Sequence, residues 1–151
     1  PYWRSTRSRM VRTPKLHFMD SGMAAHLMGV ATWEEAGRRG VDGFLLETWA
    51  HTQLQAFALS CPHRMELFHF RIRSGPEVDF ILARPGRLVP IEIKKSASLR
   101  PEDVLGLRAF LRTAGAEAPF GILLYGGAEP LPAGPGVVAL PLCAFLGGGG
   151  K

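Results

Sequence analysis

The stretch Gly75-Pro76-Glu77-Val78-Asp79-Phe80-Ile81-Leu82-Ala83-Arg84-Pro85-Gly86-Arg87-Leu88-Val89-Pro90-Ile91-Glu92-Ile93-Lys94-Lys95 decides the fold. Two apolar-rich segments flank Pro85-Gly86, a pair suited to a tight turn, so the stretch reads as a β-hairpin. With Arg84 opposite Arg87, counting outward sets Asp79 opposite Glu92 and Glu77 opposite Lys94; a four-residue loop from Arg84 to Arg87 gives the same register. Residues two apart share a face, and cross-strand partners lie about 5 Å apart. Three carboxylates and one ammonium are therefore expected on one patch. Val78, Phe80, Leu82, Val89, Ile91 and Ile93 are expected to point the other way, as core.

Carboxylates this close repel one another unless a cation joins them, and hard oxygen ligands suit Mg²⁺ or Mn²⁺. A lysine beside such an ion can orient or help deprotonate a water and can neutralise charge developing on a phosphate. Phosphodiester hydrolysis fits that set. The alternative is a cross-strand salt-bridge lattice on an exposed sheet face, worth under about 1 kcal/mol per pair.

Asp79, followed after a turn by Glu92-Ile93-Lys94, resembles the signature of the PD-(D/E)xK nuclease-like superfamily. That resemblance implies an α/β fold with a restriction-endonuclease-like core: helix, three-stranded meander, helix, strand, in a mixed central sheet flanked by helices. It implies Asp79 and Glu92 as metal-binding acids and Lys94 as the catalytic lysine. Glu47 is the candidate for the first-helix glutamate that often completes such a site, and Glu77 joins the metal candidates from its place on the patch. A closer resemblance covers nearly the whole chain. Thr13-Pro14-Lys15-Leu16-His17-Phe18-Met19-Asp20-Ser21-Gly22-Met23, Gly43-Phe44-Leu45-Leu46-Glu47, Phe70-Arg71, Gly75-Pro76-Glu77-Val78-Asp79-Phe80 and Ile91-Glu92-Ile93-Lys94 are similar to domain of unknown function 4143. His17 stands where a tyrosine is more usual. That family forms the C-terminal part of prokaryotic AAA-type ATPases, so the resemblance implies an accessory domain with a nuclease-like fold and no established reaction. The functional expectation is a metal-dependent nuclease domain, with a non-catalytic DNA-binding or protein-interaction module regulating the ATPase as the alternative.

No Gly-x-x-x-x-Gly-Lys-Ser/Thr loop occurs, and Gly147-Gly148-Gly149-Gly150-Lys151 lacks the preceding strand and the hydroxyl residue of one, so no ATP site is expected in this chain. The start at Pro1 reads as a fragment of a longer ATPase, a processed product or a separate C-terminal piece. A content of 46% apolar and 21% charged residues suits one compact globular domain. No apolar run approaches the roughly 20 residues that a bilayer span needs, so no membrane partner is expected and cytoplasmic residence is the default. Cys61 and Cys143 lack a Cys-x-x-Cys partner and read as buried free thiols.

Arg4, Arg7, Arg9, Arg12 and Lys15 precede the first acid, Asp20. Residues 1–15 form a basic N-terminal arm, 16–146 the nuclease-like domain and 147–151 a flexible Gly-rich tail in this reading. Such an arm can neutralise phosphates with salt-dependent affinity, or can be a solvated linker or a docking surface for the ATPase domain. The candidate nucleic-acid contacts are Arg4, Arg7, Arg9 and Arg12, together with Arg71, Arg73 and Lys95 near the patch. DNA is the expected nucleic acid, and a homo-oligomer is a further possible assembly.

Elsewhere the pattern predicts a short strand at Leu16–Met19, a helix capped at Asp20 or Ser21 and running through Leu27, and connecting structure from Gly29 to Arg39. A helix over Gly43–Ser60 puts Glu47 at the edge of an apolar stripe with His51 one turn later. A strand over Leu67–Arg73 is expected to pair Arg71 with Asp79 and Arg73 with Glu77. Pro101 starts a helix that Gly115 stops. Phe120–Tyr125 suits a central strand parallel to the Glu92 strand, Val137–Leu140 an edge strand, and Gly126–Gly136 a turn-rich connection.

Overall fold

A computed structural model describes residues 15–71 and 77–146. Arg4, Arg7, Arg9, Arg12, Arg73 and the Gly-rich tail lie outside the described residues. The chain runs α1 (Ser21–Leu27), α2 (Trp33–Arg38), α3 (Asp42–Ser60), β1 (Glu66–Arg71), β2 (Glu77–Arg84), β3 (Arg87–Lys94), α4 (Leu105–Ala114), β4 (Gly121–Tyr125), β5 (Leu131–Gly134), β6 (Val137–Pro141) and α5 (Leu142–Leu146). The six strands form one mixed sheet ordered β1-β2-β3-β4-β6-β5.

The hairpin turn is as expected: Arg84 pairs with Arg87 across Pro85-Gly86. Proline with its fixed φ, followed by a glycine at φ 73°, is what a type II turn requires. From β3 the chain crosses through a 3-10 turn at Pro101–Val104 and through α4 into β4, which lies parallel to β3. Gly115, at φ 56°, ends α4. This is the predicted crossover.

The sheet is covered on both faces. Val104, Leu107 and Phe110 pack with Val78, Ile81, Ala83, Leu88 and Leu123 on the α4 side. Ala50, Leu54 and Ala58 of α3 pack with Phe80, Leu82, Ile91, Ile93 and Leu124 on the other. The expectation of one apolar and one charged face for the hairpin is therefore corrected. Val78 and Phe80, two apart, lie in opposite cores. The cause is a bulge: Phe68 pairs with Ile81 but Phe70 with Val78, so Asp79 and Phe80 together face the single residue His69. An extra residue inverts the alternation and re-aims its side chain.

Further expectations are corrected. Leu16–Met19 is not a strand; Leu16 and Met19 are largely exposed, so no second face holds them in a ladder. Gly29–Arg39 contains α2, whose N-cap Thr32 accepts from Glu35 N. Arg71 pairs with Glu77 instead of Asp79, in a ladder whose register the bulge opposite His69 shifts. Gly126–Gly136 holds β5, which lies outside β6, so β6 is not the edge. Cys143 is exposed and Cys61 half-exposed; both are free thiols, but neither is buried. No helix among the described residues is long and apolar enough to cross a membrane.

Candidate functional site

The site begins where β2 and β3 part. Their ladder ends at Phe80 opposite Ile91, while β3 continues beside β4 to Lys94 opposite Tyr125. Past that point the Ile93 amide has no β2 carbonyl to meet, and it donates to Asp79 Oδ2 at 2.9 Å. A carboxylate thus takes the place of a backbone acceptor, which satisfies a buried donor and fixes the Asp79 rotamer. The expected cross-strand pairs Asp79–Glu92 and Glu77–Lys94 do not form as ladder pairs, because the bulge turns Asp79 into the gap and leaves Glu77 facing Arg71.

On β3, Lys94 Nζ donates to Glu92 Oε1 at 2.8 Å. Glu92 Oε2 is buried and has no hydrogen-bond partner. Burial, then the neighbouring Asp79 charge, pushes the Glu92 carboxyl up to about 7. Burial, then Glu47, pushes Asp79 up to about 6 against the Ile93 hydrogen bond. Burial opposes the charge on Lys94, but its hydrogen bond to Glu92 and the fields of Glu92 and Asp79 outweigh it, so its pKa is raised. Without a metal beside it, Lys94 is thus held as an ammonium donor to Glu92.

A second group faces the first from α3 and from the chain before α1. Glu47, in the second turn of α3, accepts from Lys15 Nζ at 2.5 Å. The same ammonium lies 3.2 Å from Glu77 Oε1 and 3.8 Å from Asp79 Oδ1. Burial works against the Lys15 charge, but the Glu47 hydrogen bond and the fields of Glu47, Asp79 and Glu77 raise its pKa. His17 and His51 stack at 4.4 Å with planes 10° apart, and both rings lean on Phe80. Burial lowers both imidazoles, assisted at His17 by the His51 charge and opposed at each by Glu47. Neutral rings result near pH 7, and each leaves its Nδ1 buried without a partner. With Lys15, His69, Asp79 and Phe80 these rings line a cavity of about 160 Å³. Larger hollows, of about 510 and 440 Å³, lie by the Pro85-Gly86 turn and between α1, α2 and α3, away from these charges.

The structure brings together Asp79, Glu92, Lys94, Glu47 and Glu77. Lys15, which the sequence assigned to the arm, reaches three of them, Glu47, Glu77 and Asp79; its place inside the family-like stretch from Thr13 to Met23 was the available signal. Arg71 is exposed and reaches Glu77 at 3.6 Å, Nε to Oε2. Lys95 turns away and pairs with buried Asp42 at the start of α3, holding that carboxyl below its usual range. Among the described residues no three His, Cys, Asp or Glu side chains are grouped to hold a metal ion. Asp79 and Glu92 do fit a divalent ion on a narrower count: two adjacent carboxylates, one with an orphaned buried oxygen, are a donor set that Mg²⁺ or Mn²⁺ completes with waters. Glu47 and Glu77 are satisfied by Lys15 and Arg71 instead.

The family model of a domain of unknown function, DUF4143, matches residues 42–145. The matched span takes in Glu47, Glu77, Asp79, Glu92 and Lys94 and leaves Lys15 and His17 outside. Neither a curated protein nor a solved structure matches the chain.

Proposed function

We propose that this chain, which belongs to the DUF4143 family, is a divalent-metal-dependent domain that hydrolyses phosphodiester bonds in nucleic acid. The observation that carries the reading is the buried, unpartnered Glu92 Oε2 between Asp79 and Lys94 where two strands separate. The order α3, β1-β2-β3 meander, α4, β4 supports it, being the order that the PD-(D/E)xK resemblance implies. Asp79 and Glu92 would hold Mg²⁺ or Mn²⁺, which supplies Lewis-acid polarisation and an activated water. The Lys94 ammonium, held by Glu92 Oε1, donates toward the charge that develops on the phosphate. Arg71, at the exposed rim, binds a flanking phosphate, and neutral His17 and His51 line the floor beside Asp79.

One observation favours a second reading, a non-catalytic DNA-binding or regulatory module of an AAA-type ATPase. Lys15 already neutralises three of the acids within 4 Å. The test is calorimetric titration with millimolar Mn²⁺, followed by incubation with mixed single- and double-stranded DNA, for the wild type, Glu92→Gln and Lys94→Ala. The proposal expects Mn²⁺ binding that Glu92→Gln weakens and cleavage that both variants lose with the fold intact. An Mn²⁺ response indifferent to Glu92→Gln, with no cleavage by any of the three, overturns it in favour of the second reading.

A further inference from the structure

Lys15 has a place in this site that its position in a basic arm does not explain. Its ammonium has three protons to donate and no acceptor capacity, and three carboxylates, Glu47, Glu77 and Asp79, surround it within 4 Å. Only about a quarter of its side chain is exposed. The segment that delivers it is pinned twice: His17 stacks on His51 against Phe80, and Thr52 Oγ1 donates to the Met19 carbonyl at 3.1 Å. Lys15 is thus a cation on a strap laid across α3.

The charges around it set its effect. Four carboxylates, Glu47, Glu77, Asp79 and Glu92, face three cations, Lys15, Lys94 and Arg71, so that one negative charge is left over when all are ionised. Without Lys15 two are left, the number that a divalent ion neutralises. Asp79 belongs to both groups, with Oδ1 toward Lys15 and Oδ2 on the Ile93 amide. An ion at Asp79 and Glu92 and an ammonium 3.8 Å from Asp79 would repel at close range in partly dehydrated surroundings.

We propose that Lys15 is a tethered cation that competes with a divalent metal for the acid cluster, so that withdrawal of the segment carrying it switches the site from a metal-excluding to a metal-accepting state. The inference rests on the metal-dependent reading above and adds its regulation. Lys15→Met keeps the aliphatic stem and removes the charge. Calorimetric titration with Mn²⁺ should find binding about tenfold tighter or more in Lys15→Met than in the wild type. Equal affinity overturns the competition and leaves the metal site standing; binding in neither protein overturns both. Hydrogen exchange on the wild type gives a readout that does not depend on the variant folding. Saturating Mn²⁺ should speed exchange at residues 16–19 while β2 and β3 stay protected, and unchanged exchange there overturns the inference.

Discussion

Asp79 carries a charge that its surroundings oppose. The carboxyl is pushed from an ordinary 3.8 to about 6 by burial and by Glu47, and Glu92 from 4.5 to about 7 by burial and by Asp79. Both shifts are upward, so the folded chain holds protons that the unfolded chain has released. This pair therefore favours the fold at low pH, and its contribution falls as pH rises from about 4 to about 7. Asp79→Asn keeps an oxygen to accept from Ile93 and removes the charge. It should stabilise the protein by about 1–3 kcal/mol at pH 8 and by little at pH 4, as read from urea unfolding at the two values. A loss of stability at pH 8 would mean that the carboxylate is held favourably by Lys15 after all. The acids themselves were legible in sequence, because period-two spacing brings Glu92 and Lys94 to one face whatever else the strand does. Lys15 was not, since it approaches from 62 positions before Glu77 and no local period records such a contact.

Elements set where those residues stand, and α4 does so through a single glycine. A Cβ on Gly106 would lie 2.0 Å from the Glu77 carbonyl oxygen, a backbone atom that cannot swing aside. In an exposed helix, glycine to alanine gains about 1 kcal/mol. Here Gly106→Ala should instead cost about 1–3 kcal/mol by forcing α4 away from β2. It should also loosen the Lys15–Glu77 contact, so urea unfolding together with Mn²⁺ affinity checks both effects. A stabilised variant would show that α4 can shift at no cost. The hairpin, α3, α4 and the parallel placement of β4 follow from turn residues, apolar stripes and an apolar run. The bulge at Asp79 and Phe80 does not, because an inserted residue changes no composition and looks like continued alternation. α2 had its signal: Thr32 accepts from Glu35 N while Glu35 Oε2 accepts from Ala31 N, a Thr-x-x-Glu start just before Trp33. β5 had almost none, since Pro132 and Gly134 are depleted in strands and are tolerated only at an edge, where β5 lies.

Across the whole molecule, apolar burial is unequal. The two cores on either side of the sheet contain large side chains such as Phe80, Phe110, Leu54, Ile91 and Leu123, all nearly inaccessible. α1 and α2 rest on α3 through a third cluster of Ala24, Val30, Ala36 and Leu45, while Met23, Leu27 and Trp33 remain exposed. Three of those four buried residues are no larger than valine, so this region contributes the least hydrophobic stabilisation. It is held instead by caps at Asp20 and Thr32 and by the Arg39 bond to the Gly29 carbonyl. Local opening draws on such weakly buried units. Native-state hydrogen exchange should therefore find α1 and α2 amides less protected than those of β2, β3 and β4 by about a hundredfold or more, with the α3 core turns at Ala50–Leu54 siding with the sheet. Equal protection throughout would mean that the caps and the third cluster join α1 and α2 to the global unfolding unit. The consequence reaches the site, because the segment from Lys15 to Met19 leads directly into α1. An opening of α1 that leaves the sheet intact would release the strap carrying Lys15 while Asp79, Glu92 and Lys94 stay in register. The weakest packing among the described elements is then adjacent to the cation that Glu47, Glu77 and Asp79 share.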